Sequence, residues 1–295
     1  MRIFVTGANG FIGSALIPEL IKGGHQVLGL TRSEEGARAL GEAGAAAWRG
    51  DVNDVDGLRK AIEHSEGVIH TAFNHDFSRF MASCEEDRKV ITAMGDALAG
   101  SNRPMVVTSS IGSSNTVPGT LAVEDNPTAS SKVFPRAASD EAALALADRG
   151  INVSIMRNPQ IHNTVKQGLV SDLVKLARQK GRAAYVGDGS NRWSATHISD
   201  AVQLYRLAIE KAQIGAKYHA VAEEGIAMRE IAEVIAEGLH LPAVSISEDD
   251  APEHFGWLIK FAGRELTASG QLTQERLNWT PKGPGLIADL QHMKY

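Results

Sequence analysis

Residues 4–16 read "FVTGANGFIGSAL", and their reading decides the fold. A β-rich apolar run ends at Thr6, glycines follow at positions 7, 10 and 13, and apolar residues then recur at helical spacing as far as Lys22. A strand that turns through glycines into a helix leaves the helix's first amides free to face an anion. Each glycine has its own task there: a tight turn, close approach of backbone to a pyrophosphate, and close contact of helix with strand. The segment predicts a phosphate cradle made by Gly7, Asn9, Gly10, Phe11, Ile12 and Gly13.

The same strand–helix alternation continues outward from this unit. Short apolar runs at Gln26–Leu30, Gly67–His70, Met105–Thr108 and Val153–Met156 alternate with helical stretches such as Val55–His64, Glu85–Leu98 and Ser139–Asp148. Strands that are apolar on both faces argue for an α/β fold with a doubly wound parallel sheet of the Rossmann kind. After Ile161 the rhythm changes: helical segments at Leu169–Lys180, Ser199–Lys211 and Met228–Leu239 surround a strand at Tyr218–Val221. The expected organisation is a dinucleotide-binding unit over residues 1–162, completed by segments around 195–225. Residues 163–295 then form a smaller, interleaved substrate lobe.

Composition removes several function classes. The 295 residues are 43% hydrophobic and 22% charged with a net charge of -5, and no Lys/Arg cluster offers a nucleic-acid footprint. No apolar run approaches the ~18 residues of a membrane span. The single cysteine, Cys84, excludes an internal disulfide and a cysteine-based zinc site, and no metal is expected. The opening "MRIFVTGANG" runs directly into a strand, so the reading is of a cytoplasmic protein without a signal peptide.

The end of the second strand reports on the cofactor. A carboxylate there would bond a ribose 2′-hydroxyl, whereas an arginine accommodates a 2′-phosphate. Here "QVLGL" runs into Thr31, Arg32 and Ser33, and the first carboxylate is Glu34. Arg32 offers a charge-assisted fork and Ser33 a hydroxyl, which predicts NADP(H) in preference to NAD(H).

The Thr-Gly-x-x-Gly-x-x-Gly form resembles the short-chain dehydrogenase/reductase superfamily, in particular its extended and atypical branches. The resemblance extends through "RGDVND", "VIHTAF", "MVVTSSIG", "IMRNPQIHN" and "GDGSNRWSATHISDAVQLY". It implies that Asp51 and Val52 contact the adenine, that Thr71, Ala72 and Phe73 line the cofactor, and that Ser109 and Pro159 lie beside it. It further implies that Ser110 is the catalytic serine.

The resemblance breaks at one place. Members of the superfamily use a Tyr-x-x-x-Lys pair, yet the four tyrosines, at 185, 205, 218 and 295, all lie far downstream of "SSKVFPRAASDEA". Aligned without gaps, Lys132 takes the tyrosine's position and Arg136 the lysine's, and a small shift would bring Phe134 to the first. A guanidinium stays protonated and cannot act as the acid. His162, in the loop expected beside the nicotinamide, titrates near neutrality and is the expected proton carrier. Asp87 occupies a position where the family commonly has asparagine. The stretches "AFNHDFSRF", "PRAASDEAALALADRG", "YVGDGSNRW" and "HFGWL" resemble an atypical epimerase/dehydratase-like subgroup whose members also depart from the full Ser-Tyr-Lys set, so the loss is read as a trait of that subgroup.

Three functions follow as expectations. The first is NADPH-dependent reduction of a carbonyl or related activated group on a small apolar or aromatic molecule. The second is nucleotide-sugar epimerisation or dehydration, and the third is non-enzymatic sensing of NADP(H). His75, Trp193, Phe255 and Trp257 are expected to line the acceptor pocket, and a homodimer is expected through the Ser139–Asp148 helix and its neighbour.

Overall fold

The computed structural model describes all residues from Met1 to Tyr295 except Thr116 and Pro118. The first half alternates strictly: β1 (Arg2–Thr6), α1 (Phe11–Lys22), β2 (Gln26–Thr31), α2 (Glu34–Glu42), β3 (Ala46–Arg49), α3 (Val55–Glu63), β4 (Gly67–His70), α4 (Phe80–Leu98), β5 (Met105–Ser110), α5 (Ala138–Asp148) and β6 (Val153–Asn158). There follow β7 (Gln160–His162), α6 (Val170–Lys180), β8 (Ala183–Val186), β9 (Arg192–His197), α7 (Ile198–Lys211), β10 (Lys217–His219), β11 (Glu223–Ala227), α8 (Met228–Leu239) and β12 (Ala243–Ile246). Short helices complete the tail: α9 (Ala251–Phe255), α10 (Ile259–Ala262), α11 (Gln271–Leu277) and α12 (Leu286–Gln291).

Seven strands form one parallel sheet in the order β10-β6-β5-β4-β1-β2-β3. Because side chains alternate along a strand, neighbouring residues feed different cores. Ile3, Val5, Ile69 and Val106 pack with α1 and α7, whereas Phe4, Val68 and Val107 pack with α3, α4 and α5. Both faces are therefore covered, as a parallel sheet requires. The strand order reverses between β1 and β4, and a crevice opens outside the carboxyl ends of strands at such a switch point.

The strand read at Tyr218–Val221 is β10, and it adds to the edge of the main sheet beside β6. A separate apolar cluster is built from α6, α8, β8, β9 and the tail, with Trp193, Phe255, Leu258 and Phe261 among its members. Two small sheets, β11-β9-β7 and β12-β8, frame it. Among the described residues, no helix is long and apolar enough to cross a membrane.

Candidate active site

A cleft of about 1530 Å³ runs along the carboxyl edge of the large sheet, from the loop after β2 to the apolar cluster around Trp193. At its centre is the glycine turn. Gly7 has a left-handed φ of +67°, and a Cβ there would lie 2.6 Å from the Ala72 backbone nitrogen. A Cβ on Gly13 would lie 2.1 Å from the Gly7 carbonyl oxygen, so helix and strand can meet only through glycine. No side chain caps α1 and its first turn holds no acidic residue, which leaves the helix amides for an outside anion. Asn9 ties the turn to the next helix, donating through Nδ2 to the Gly36 carbonyl at 3.1 Å. These features fit a dinucleotide pyrophosphate. Gly7, Asn9, Gly10, Phe11, Ile12 and Gly13 all line the cleft.

One end of the cleft is lined by Thr31, Arg32, Ser33, Asp51 and Val52, the residues expected at the adenosine. The Arg32 side chain is 83% exposed and its Nη1 stands 3.8 Å from an Asp51 carboxylate oxygen. Ser33 Oγ caps α2 by accepting from the Gly36 amide at 3.0 Å, which leaves its own proton free to donate. Glu34 is drawn into an ion pair with Arg49.

Toward the other end, Thr71, Ala72, Phe73, Ser109, Ser110, Asn158 and Pro159 line the cleft. Ser110 ends β5 in register with Asn158 of β6. Its Oγ accepts from the Gly112 amide at 3.3 Å, so its proton is available to a group in the cleft. Beneath this floor lie two buried ionic networks. In one, His70 Nε2 donates to Asp87 at 2.9 Å, and the other Asp87 oxygen accepts from Arg136 Nη1 at 2.8 Å and Ser139 Oγ at 2.6 Å. Burial pushes the Asp87 carboxyl up, but Arg136, His70 and Ser139 outweigh it and hold the pKa at about 2. In the other network, Asp140 accepts from Arg157 Nε at 2.7 Å and from Ser109 Oγ. The Ser109 hydroxyl is thus engaged from below.

Arg136 lines the cleft, but three of its contacts are structural. Besides Asp87 it bonds Ser139 and the Thr108 carbonyl, and its guanidinium lies 4.1 Å above the Phe73 ring. Its geometry is that of a positioning residue. Lys132 is exposed and is not among the residues of the cleft. His162 is fully buried on β7, its Nδ1 donating to Asp289 at 2.7 Å, and it does not reach the cleft. Burial also lowers its pKa. Phe255 is 3% exposed within the second apolar cluster and likewise lies outside the cleft. The expectations that His162 carries the proton, that Lys132 stands at the catalytic tyrosine's position in the site and that Phe255 lines the pocket therefore fail on geometry. His162 follows Pro159 closely in sequence, but β7 turns it toward α12.

Among the described residues, no tyrosine lines the cleft. Tyr205 comes nearest, bonded to two cleft residues, Thr108 at 2.7 Å and Asn158 at 2.9 Å. Since Thr108 Oγ1 donates to the His70 carbonyl and Asn158 Nδ2 donates to the phenol, the Tyr205 proton is committed to Thr108. Burial pushes this phenol to about 12, so it offers no acid to the cleft.

The far end of the cleft, where the acceptor is expected, is aromatic. His75, Phe77, Phe80, Phe134, Trp193, Trp257 and Phe261 line it. Partial burial, with Arg136 and Lys166 nearby, holds His75 below the ordinary imidazole value. Sequence reasoning missed Phe77, Phe80 and Phe261, although aromatic residues at i,i+3 in "FSRF" and i,i+4 in "WLIKF" were a readable signal. It also missed Lys166, whose ammonium lies 5.6 Å from the Phe11 ring, above the cradle. That residue stands in a tight turn closed by the 2.9 Å bond from the Asn163 amide to its carbonyl.

Strand order and glycine turn together define a dinucleotide-binding enzyme of the doubly wound class. The chain belongs to the NAD dependent epimerase/dehydratase family, whose model matches residues 3–222, within the extended short-chain dehydrogenase/reductase superfamily. It is an enzyme of the NAD(P)-dependent oxidoreductase type. An uncharacterised protein of Schizosaccharomyces pombe is 43% identical over 298 residues, covering 100% of both chains. A 2-alkyl-3-oxoalkanoate reductase of Stenotrophomonas maltophilia is 30% identical over 262 residues, covering 83% of this chain and 77% of its own. The dTDP-glucose 4,6-dehydratase of Streptomyces venezuelae, solved with NAD and TYD, superposes with a TM-score of 0.79 at 19% identity over 99% of this chain and 96% of its own.

Proposed function

We propose that the protein uses NADPH to reduce a carbonyl or related activated group on a small apolar or aromatic molecule. The observation that carries this reading is the aromatic wall of the acceptor end, which is continuous with the glycine cradle and has Ser110 between the two. The relative named 2-alkyl-3-oxoalkanoate reductase supports it. In this reading residues 1–162, with the segments around 195–225, hold the cofactor, and the later lobe holds the acceptor. The preference for NADP(H) is supported by exposed Arg32, by the free Ser33 proton and by the pairing of Glu34 with Arg49.

When bound, the reduced nicotinamide supplies the hydride. Ser110 donates its hydroxyl proton in a hydrogen bond to the acceptor oxygen as charge builds there. Arg136 and Asp87 fix the floor by holding the Thr108 carbonyl and α5. The proton that completes the product comes from water entering the cleft, because the one phenol near the floor keeps its proton.

Family membership favours nucleotide-sugar epimerisation or dehydration as the second reading. A sugar nucleotide brings a diphosphate that wants cations. At the acceptor end, Lys175 is paired with Asp172 and Arg136 with Asp87, Lys166 stands over the Phe11 ring of the cradle, and aromatic rings dominate. The deciding experiment follows loss of the reduced nicotinamide's absorbance with NADPH and a panel of aldehydes, ketones and quinones, and in parallel follows product formation by chromatography with NAD+ and sugar nucleotides, whose epimerisation or dehydration consumes no net cofactor. Turnover of aromatic or apolar carbonyls is expected. Conversion of sugar nucleotides alone would sink the reading, and cofactor binding without any turnover would move it to a sensor.

A further inference from the structure

Phe77 and Trp257 come from opposite sides of the cleft. Phe77 opens a 3-10 turn at Phe77–Arg79 shortly after β4, and Trp257 sits in a 3-10 turn at Gly256–Leu258. Their rings stack with centroids 4.2 Å apart and planes 9° from parallel. Phe261 presents its edge to both, at 6.0 Å from Phe77 and 6.4 Å from Trp257, and Phe80 lies 5.5 Å from Phe77. All four line the cleft that contains Ser110.

We propose that Phe77 and Trp257 form a stacking subsite that grips a planar, conjugated ring system of the acceptor; this rests on the reductase reading of the cleft. Two aromatic faces that meet each other directly are the closed form of a sandwich. Each face of an inserted ring needs roughly 3.5 Å, so the pair must part from 4.2 Å to about 7 Å. The backbone allows such movement. Residues 71–76 carry no regular structure before the Phe77 turn. Gly256, the pivot before Trp257, has φ +54°, and a Cβ there would meet nothing within 4 Å. Trp257 is 36% exposed, a large apolar surface kept beside the cofactor cleft rather than in the core. Phe261, edge-on to both rings, and Phe80, tilted against Phe77, would flank an inserted ring in the cleft that also holds Ser110.

The test uses phenanthrenequinone as the planar probe and hexanal as the aliphatic one. With NADP+ present to prevent turnover, phenanthrenequinone should quench tryptophan fluorescence. Trp257→Phe should remove the share of that quench owed to Trp257 and leave that of Trp193, which lines the same cleft, while calorimetry gives an unchanged Kd, because the stack is retained. Phe77→Ala and Trp257→Ala should each weaken phenanthrenequinone about 3- to 10-fold and raise the KM for hexanal by a clearly smaller factor, because an aliphatic chain loses apolar contact but no stacking. Unchanged or tighter quinone binding in Phe77→Ala, or a quench of undiminished amplitude in Trp257→Phe, would overturn the subsite. If the quinone binds as expected but no acceptor is turned over, the subsite stands and the reductase reading fails. Normal reduction with wild-type KM for the quinone in both alanine variants gives the converse.

Discussion

At the scale of single residues the site depends on which polar groups are free and which are committed. Ser110 keeps a proton for the cleft, so Ser110→Ala should lower kcat by roughly 10²–10³-fold in a steady-state assay, the loss expected for an oxyanion donor. His162, buried against Asp289, gives the opposite pattern: His162→Ala should lower the melting temperature and leave the pH profile of kcat unchanged. Arg136 was legible as the residue in the family's lysine position, but its partner was not. Asp87 lies 49 residues away and meets it only because α4 and the turn before α5 share one face of the sheet. Removing the guanidinium leaves a buried carboxylate uncompensated, so Arg136→Ala should cost about 3–5 kcal/mol in urea unfolding. The Asp87 carboxyl, held at about 2 against 3.8 when unfolded, contributes stability that is complete above pH 3.8 and is lost as the pH falls toward 2. His162 misled for a related reason: nearness in sequence to Pro159 says nothing about which way a three-residue strand turns its side chain.

At the scale of elements, the first strand–turn–helix unit was fully legible, because its glycines answer to local sterics. The turn at Asn163–Lys166 was not legible, because its position above the cradle depends on β7 pairing with β9 across the chain. Comparing Arg32, just after β2, with Lys166, in this turn, would separate a selective phosphate contact from a general one. Arg32→Ala should erase most of the difference between NADPH and NADH affinities measured by fluorescence titration. Lys166→Ala should weaken both cofactors alike, by about 3- to 10-fold if its charge-assisted contact resembles others of this type. Equal affinities for the two cofactors in the wild type would refute the role given to Arg32. The aromatic residues at the acceptor end were legible one by one, but their convergence was not, since it joins the segment after β4 to the tail.

At the scale of the whole molecule, the buried networks set how the protein responds to acid. His219 donates through Nδ1 to the Ser269 carbonyl at 2.9 Å, and its Nε2 faces Arg157, a geometry for the neutral ring only. Burial first, and then Arg157, lower its pKa from 6.5 to about 3. The unfolded chain therefore takes up a proton that the fold refuses. Stability should fall as pH drops from 6.5 toward 3, by about 1.4 kcal/mol per pH unit from this group. Urea titrations across that range should show the slope, and His219→Gln should flatten it. The proposed homodimer also belongs to this scale: α5 keeps Ala145 exposed and Leu144 and Ala147 half-buried on its outer side. Sedimentation at micromolar concentration should give about twice 31.5 kDa; a single species at 31.5 kDa would refute it. Finally, the large sheet is completed late, by α7 against α1 and by β10 against β6. A growing chain that has just released residue 162 from the ribosome thus carries an unpaired strand edge and an uncovered apolar helix face. Both remain open until some 60 more residues have emerged, a delay set by elongation at about 5–20 residues per second. Nascent chains are open to aggregation and to chaperone capture during those seconds, and slowing translation in this stretch would lengthen the exposure.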